Sequence, residues 1–301
     1  MSRADPLGVP FYKVSGAGND FIAIPEPPAP PSAPGNGFGD DLAGLVTPER
    51  VRAWCARRLS VGADGLFLLA REGSGTVRMT HFNADGSRAA LCVNGTRCAA
   101  RLAFELGWAA TPEVTVVTGA GPLRGRRVGA EEVSLELPEN LPSRERPPER
   151  RAPEAAGRSW PGVFVDAGVP HFVLPWPDDL AAAPVESLGA ELRRHPDFGA
   201  AGANVDFVRF AERHRLEIRS FERGVEGETL ACGSGVLAAA AAGLELGEIG
   251  LPVTARTRSG FELRVDRVGP VWTLAGDARL VARGELLPGA AARSGRPRGE
   301  R

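Results

Sequence analysis

The chain has 301 residues, 43% of them hydrophobic and 24% charged, with a formal net charge of −1 at pH 7. That length accommodates two domains of ~150 residues, and the near-neutral balance excludes the basic surface on which nucleic-acid or anionic-membrane binding depends. No apolar run approaches the ~20 residues of a bilayer span, and no basic segment followed by an apolar core opens the chain. A cytoplasmic protein is expected, where thiols stay reduced, and four cysteines without a CxxC pair predict neither disulfides nor a zinc site.

Phe11 to Ile24 reads as a strand, a Gly-Ala-Gly-Asn-Asp turn and a second strand, with Asn19 and Asp20 at the bend. Pro25 to Asp40 is too proline-rich for helix or central strand and is expected to be an exposed insert. Thr47-Pro48 starts a helix predicted over Pro48–Leu59, with Val51, Trp54, Cys55 and Leu59 on its buried face. Gly62 to Gly65 turns the chain into an apolar strand, Leu66 to Leu69. From Val77 a strand and an Asp-Gly turn lead to Cys92-Val93-Asn94-Gly95, which opens a helix through Cys98. Cys98 lies too far from the helix mouth to feel its dipole and reads as core. Strands at Val114–Thr118 and Val133–Leu137 precede Pro138–Pro161, a polar, proline-laden stretch read as a linker with the domain boundary at its start.

The second half opens with strands at Val163–Asp166 and Phe172–Leu174 around a turn holding His171, whose plainest reading is a solvated turn residue. A helix around Val185–Arg194 follows, then alternating runs at Asn204–Phe210 and Leu216–Ser220 that suit adjacent strands. Strands at Phe261–Val265 and Val271–Ala275, a last strand near Leu280 and a basic tail expected to be disordered complete the chain.

Between those strands lies Arg219 to Leu246, where a strand and a glycine-rich turn lead to Cys232-Gly233-Ser234-Gly235 at the start of an alanine-rich helix. Helix N-termini carry unpaired N–H groups and a positive dipole end, so a thiol there has help in ionising and an anion has donors. The same strand, turn, Cys-x-[Asn/Ser]-Gly and helix occurs at Cys92, 140 residues earlier. That duplication points to two similar halves, each contributing one thiol.

GAGNDF at 16–21, GADGL at 62–66, FNADGS at 82–87, CVNG at 92–95, GVPH at 168–171, NVDF at 204–207 and ERGVEGETLACGSG at 222–235 stand in the order and spacing of the diaminopimelate epimerases, which the chain resembles over nearly its whole length. The resemblance implies an α/β (α+β) fold of two similar domains, each a curved mixed β-sheet wrapped around a central helix and related by pseudo-two-fold symmetry. It places the N-terminal domain at 1–137, with a strand at 276–288 returning to it, the C-terminal domain at 138–275 and the tail at 289–301. The implied activity is interconversion of LL-2,6-diaminopimelate and its meso isomer without pyridoxal phosphate, metal or other cofactor. The implied partners are a small-molecule substrate and a second copy in a homodimer.

By motif, Cys92 and Cys232 are then the two proton-transfer groups, and His171 and Glu222 tune them. Asn19, Asn83, Val93, Asn94, Asn204, Glu222, Arg223, Gly233 and Ser234 are implied to bind substrate. Several positions depart from the usual pattern: Val93 stands where the family has glycine, Val169 where it has an asparagine, Gly65 where some members have a glutamine, and Ala282 where many have an aromatic residue. The departures at Val93 and Val169 keep a second reading open, a cofactor-independent racemase of the same fold acting on another amino acid.

Overall fold

The computed structural model describes residues 8–27, 44 and 46–291. Its contacts divide the chain into two compact units, one reaching to Arg127 and joined by the segment from Ala278 onward, the other Val128–Asp277.

In the first unit the strands are β1 (Val9–Gly16), β2 (Asn19–Pro25), β3 (Gly65–Gly73), β4 (Thr76–Asn83), β5 (Arg88–Ala89), β6 (Glu113–Thr118) and β7 (Gly121–Arg127), with the C-terminal strand Arg279–Leu286. The order across the sheet is C-terminal strand, β1, β2, β3, β4, β6, β7. The β2–β3 and β4–β6 pairs are parallel, the others antiparallel, and β5 lies against β4. Ala17 and Gly18 both take positive φ between β1 and β2, the two-residue turn that matches the twist of a hairpin. Helix α1 (Pro48–Cys55) covers one face, burying Val51 and Trp54 against Ile22, Ile24, Leu66 and Leu68. Helix α2 (Val93–Glu105) touches β1, β2, β4, β6, β7 and the C-terminal strand, so the sheet wraps around it. Its residues from Asn94 to Ala100 are accordingly all buried.

The second unit repeats this plan. Its strands are β8 (Glu132–Glu136), β9 (Glu149–Arg151), the short pair β10 (Glu154–Ala155) and β11 (Arg158–Ser159), β12 (Gly162–Asp166), β13 (Pro170–Pro175), β14 (Asn204–Glu212), β15 (Arg215–Glu222), β16 (Gly227–Thr229), β17 (Val253–Arg256), β18 (Glu262–Val268) and β19 (Val271–Asp277). From β9 the order runs β12, β13, β14, β15, β17, β18, β19, β8, with β13–β14 and β15–β17 parallel and β16 against β15. The alternation of parallel and antiparallel pairs from β9 to β18 is that of the first unit from its C-terminal strand to β7. Helix α3 (Val185–Leu192) packs on the outer face against Phe172, Val205, Phe207 and Phe221. Helix α4 (Gly233–Leu246) is central, touching β12, β13, β14, β15 and β18. Its run of alanines admits strands at close range, and it stops at Gly247, in the left-handed conformation typical of a helix end.

Four expectations need correction. The boundary placed after Leu137 falls between Arg127 and Val128, because β8 pairs with β19 rather than with the first unit. The stretch 138–161 is more than a linker: β9 pairs with β12, and Ala155 and Trp160 enter the core. Helix α1 ends at Cys55, since Ala56 is extended and Arg58 has φ +71°, which leaves Leu59 72% exposed. Part of the expected tail is ordered, Pro288–Ala291 forming a 3-10 turn. The tail from residue 292 and the Pro25–Asp40 insert from residue 28 lie outside the described residues.

Candidate active site

Each thiol caps a central helix. Cys92 precedes α2 with extended backbone angles, and its Sγ accepts the Gly95 N–H at 3.4 Å. Cys232 does the same for α4, accepting the Gly235 N–H at 3.3 Å. Sulfur thus stands where an Asp or Ser oxygen normally satisfies the first free donors of a helix. The turn before each helix follows a strand whose last residue is polar, Asn83 on β4 and Glu222 on β15.

Around Cys92, which is half-buried, the side chains of Asn19 and Asn94 meet, Asn94 Nδ2 donating to Asn19 Oδ1 at 2.5 Å. Asn94 Oδ1 in turn accepts from the buried Arg97 at 2.8 Å, and Asn19 Nδ2 donates to Asp64 at 3.2 Å. Arg57 bridges Asp64 and Asp20, and Lys13 pairs with Asp20 at 2.7 Å. Burial alone would raise the Asp20 pKa, but the hydrogen bonds from Arg57 and Lys13 hold it below the usual carboxylate value. The turn amides are therefore oriented by a chain of charges, a function composition and spacing do not advertise. Asn83 is exposed and donates to Ser87 Oγ at 3.0 Å. Val93 is the first residue of α2.

Around Cys232 the network is buried and denser. His171 Nδ1 lies 2.7 Å from Asp206 Oδ2, and both side chains are wholly buried. His171 Nε2 lies 3.0 Å from Ser234 Oγ and 3.3 Å from Asn204 Nδ2, and Ser234 Oγ is 3.4 Å from Cys232 Sγ. Asn204 Oδ1 accepts the Arg223 backbone N–H at 2.8 Å, while Thr229 donates its hydroxyl to Glu222. Burial pushes the Cys232 thiol pKa well above its ordinary value, reinforced by the nearby Glu222 and Asp206 carboxyls and only partly opposed by Ser234 and the Gly235 N–H. Burial likewise raises Glu222, against the hydrogen bond from Thr229.

The second unit thus joins His171, Asn204, Glu222, Arg223, Cys232 and Ser234, with Gly233 as the first residue of α4; the first joins Asn19, Asn94 and the Cys92 helix start. His171 is wholly buried rather than solvated, because β13 and β14 run parallel with His171 opposite Asn204. Sequence reasoning missed Asp206, Ser220, Thr229 and Asp64. An aspartate amid the apolar NVDFV run was the available signal for Asp206, since a buried carboxylate needs partners. Among the described residues no cluster of three or more His, Cys, Asp or Glu is arranged to hold a metal ion, and no helix is long and apolar enough to cross a membrane.

Comparison with known proteins bears on both units. The family model for diaminopimelate epimerase matches residues 11–132 and 163–281. The diaminopimelate epimerase of Aquifex aeolicus is 36% identical over 265 residues, covering 85% of this chain and 89% of its own. That of Gemmatimonas aurantiaca is 35% identical over 290 residues, covering 92% and 98%. In architecture the chain is similar to a phenazine biosynthesis protein of the PhzF family from Enterococcus faecalis (TM-score 0.62, 19% identity, 93% of this chain and 99% of that one). It is equally similar to a probable proline racemase from Agrobacterium radiobacter (TM-score 0.62, 19% identity, 95% and 96%). Those two likenesses define the fold alone, whereas the sequence matches run through both thiol-capped helix starts; the chain belongs to the diaminopimelate epimerase family.

Proposed function

We propose that this protein is a pyridoxal-phosphate-independent isomerase that interconverts LL-2,6-diaminopimelate and meso-diaminopimelate through two thiols, in lysine and peptidoglycan-precursor biosynthesis. Inverting a carbon by proton exchange asks for a base on one face and an acid on the other, which a single side chain cannot supply. The observation that carries the reading is the repeated local structure: in a chain of this family, each unit ends a strand, turns, and caps its central helix with a cysteine.

Cys92 acts as the base and removes the α-hydrogen; Cys232, deeply buried and pressed upward by two carboxyls, rests as the thiol and delivers its proton to the opposite face. The roles exchange in the reverse direction. The carbanion spreads its charge into the α-carboxylate, and the backbone N–H groups of Val93, Asn94, Gly233 and Ser234, already oriented at helix starts, stabilise it. Asn19, Asn83, Asn204, Glu222 and Arg223 recognise the second amino-acid centre. The Arg223 guanidinium suits a carboxylate, to which its forked donors bond in pairs. The pathway implies a cytoplasmic enzyme, and the family resemblance implies a homodimer, which sedimentation equilibrium tests.

Replacing Cys92→Ala and Cys232→Ala separately is expected to abolish epimerisation, measured as formation of deuterium-labelled meso-diaminopimelate from the LL isomer in heavy water. Retained turnover in either variant would sink the two-thiol mechanism. Turnover of single-centre amino acids in place of diaminopimelate would move the activity to the racemase reading.

A further inference from the structure

The donors around His171 fix which of its nitrogens carries the proton. Because the Arg223 N–H donates to Asn204 Oδ1 at 2.8 Å, the other end of that amide, Nδ2, is the atom facing His171 Nε2 at 3.3 Å. An amide nitrogen only donates. His171 Nε2 therefore presents its lone pair, and Nδ1 carries the hydrogen, donated to Asp206 Oδ2 at 2.7 Å. The other Asp206 oxygen accepts the Ser220 hydroxyl at 2.6 Å. The Nε2 lone pair lies 3.0 Å from Ser234 Oγ, itself 3.4 Å from Cys232 Sγ.

We propose that Ser234 and His171 form a proton relay for Cys232, with Asp206 as the positioning residue that sets the His171 tautomer. The proposal rests on the two-thiol reading, in which Cys232 must alternate between thiol and thiolate. The Cys232 S–H bond breaks and its proton passes to Ser234 Oγ, while the Ser234 O–H proton passes to His171 Nε2. The products are a Cys232 thiolate, an intact Ser234 hydroxyl and an imidazolium held by the Asp206 carboxylate. The reverse transfer restores the starting state, so no proton has to cross from solvent to a buried sulfur. Glu222 is the other carboxyl facing Cys232: its Oε1 accepts the Thr229 hydroxyl and its carboxyl also hydrogen-bonds the Cys232 thiol, so it holds the sulfur in place.

The His171–Asp206 pair is not repeated at the matching strand positions of the first unit. In the second unit His171 is opposite Asn204, and Asp206 is opposite Ser220. The matching pairs in the first unit are Phe21 with Gly65 and Phe67 with His81, and the rings of Phe21, Phe67 and His81 pack together there. The two thiols share a cap, while the strand positions that hold His171 and Asp206 in the second unit hold Phe21 and Phe67 in the first.

The test replaces Asp206→Asn, which favours the opposite tautomer, and Ser234→Ala, which removes the bridging oxygen, in the full chain. The relay predicts a kcat ~100-fold lower in both, KM within about threefold by the same reasoning, and recovery of most of the loss in Ser234→Thr. In single turnovers, deuterium wash-in should collapse from the isomer whose α-hydrogen Cys232 removes and persist from the other. Variants that keep the parent kcat, or that lose wash-in from both isomers equally, overturn the relay. Nitrogen-15 NMR of His171 gives an independent reading: a protonated Nδ1 in the parent, moving to Nε2 in Asp206→Asn. A parent with the opposite tautomer overturns the relay as well. A parent with the expected tautomer but no turnover of diaminopimelate overturns only the substrate assignment.

Discussion

Gly235 lies directly beneath the Asp206 carboxylate: a Cβ built on it would stand 2.6 Å from Asp206 Oδ1. Alanine is ordinarily preferred over glycine within a helix by ~1 kcal/mol, so Gly235→Ala would be expected to stabilise α4. Here the carboxylate cannot retreat, since one oxygen is held by His171 and the other by Ser220. The added methyl overpacks a closed site, a change that costs roughly 1–3 kcal/mol, and displaces Asp206 from His171. Gly235→Ala should therefore unfold at lower urea than the parent and lose most of its kcat. A variant more stable than the parent and fully active would show that Asp206 moves freely.

That relationship also marks where sequence reading stops. The Cys-x-[Asn/Ser]-Gly helix starts were legible because helix capping is local: a strand, a turn and a small-residue helix lie within a few residues of each thiol. Asp206 was not, because all of 204–208 is buried. With both faces of β14 covered, the polar–apolar alternation that assigns a strand's faces has no meaning there. Polar residues hid β9 in the same way, since Glu149–Arg151 is a short strand whose pairing partner, β12, follows it in the chain. His171 reads as a turn residue in isolation; only its parallel pairing with β14, more than thirty residues on, surrounds it.

A second relationship bears on substrate affinity. Glu226, at φ +55°, donates its backbone N–H to Glu222 O at 2.8 Å, and its carboxylate accepts from Gly224 N at 3.2 Å. Arg193 and Arg194 bind that carboxylate at 2.9 and 3.0 Å, and Arg193 also donates to Ala201 O. Arg193 thereby ties the turn carrying Glu222 and Arg223 to the loop leading into Asn204. Left-handed backbone costs a non-glycine residue roughly 1 kcal/mol, which Glu226→Gly recovers, while exposed ion pairs add little. The variant should keep the parent's stability yet raise KM about tenfold, the size of a lost positioning contact worth ~1.4 kcal/mol, with kcat less affected. Urea unfolding alongside steady-state kinetics checks it, and an unchanged KM removes Arg193 and Glu226 from the binding machinery.

His81 offers a test that does not depend on activity. It is 6% exposed, lies edge-on to Phe21 with ring centroids 5.6 Å apart, and its Nδ1 has no hydrogen-bond partner among the described residues. Burial lowers its pKa from 6.5 to about 4. The folded protein thus keeps His81 neutral while the unfolded chain takes up a proton below about 6.5, so its contribution to stability is complete above that pH and is lost as the pH falls toward 4. At ~1.4 kcal/mol per pH unit, the gap amounts to ~3 kcal/mol. His81→Phe removes this proton uptake and the unsatisfied ring nitrogen together, a buried polar atom costing ~1–3 kcal/mol. The variant should match or exceed the parent's unfolding free energy at pH 7 and gain on it by up to ~3 kcal/mol as the pH approaches 4. Acidic residues such as Asp20 titrate equally in both proteins, so the difference between the two curves isolates His81. Parallel curves would mean that the imidazole is protonated in the fold and that a partner or water reaches it behind the Cys92 helix.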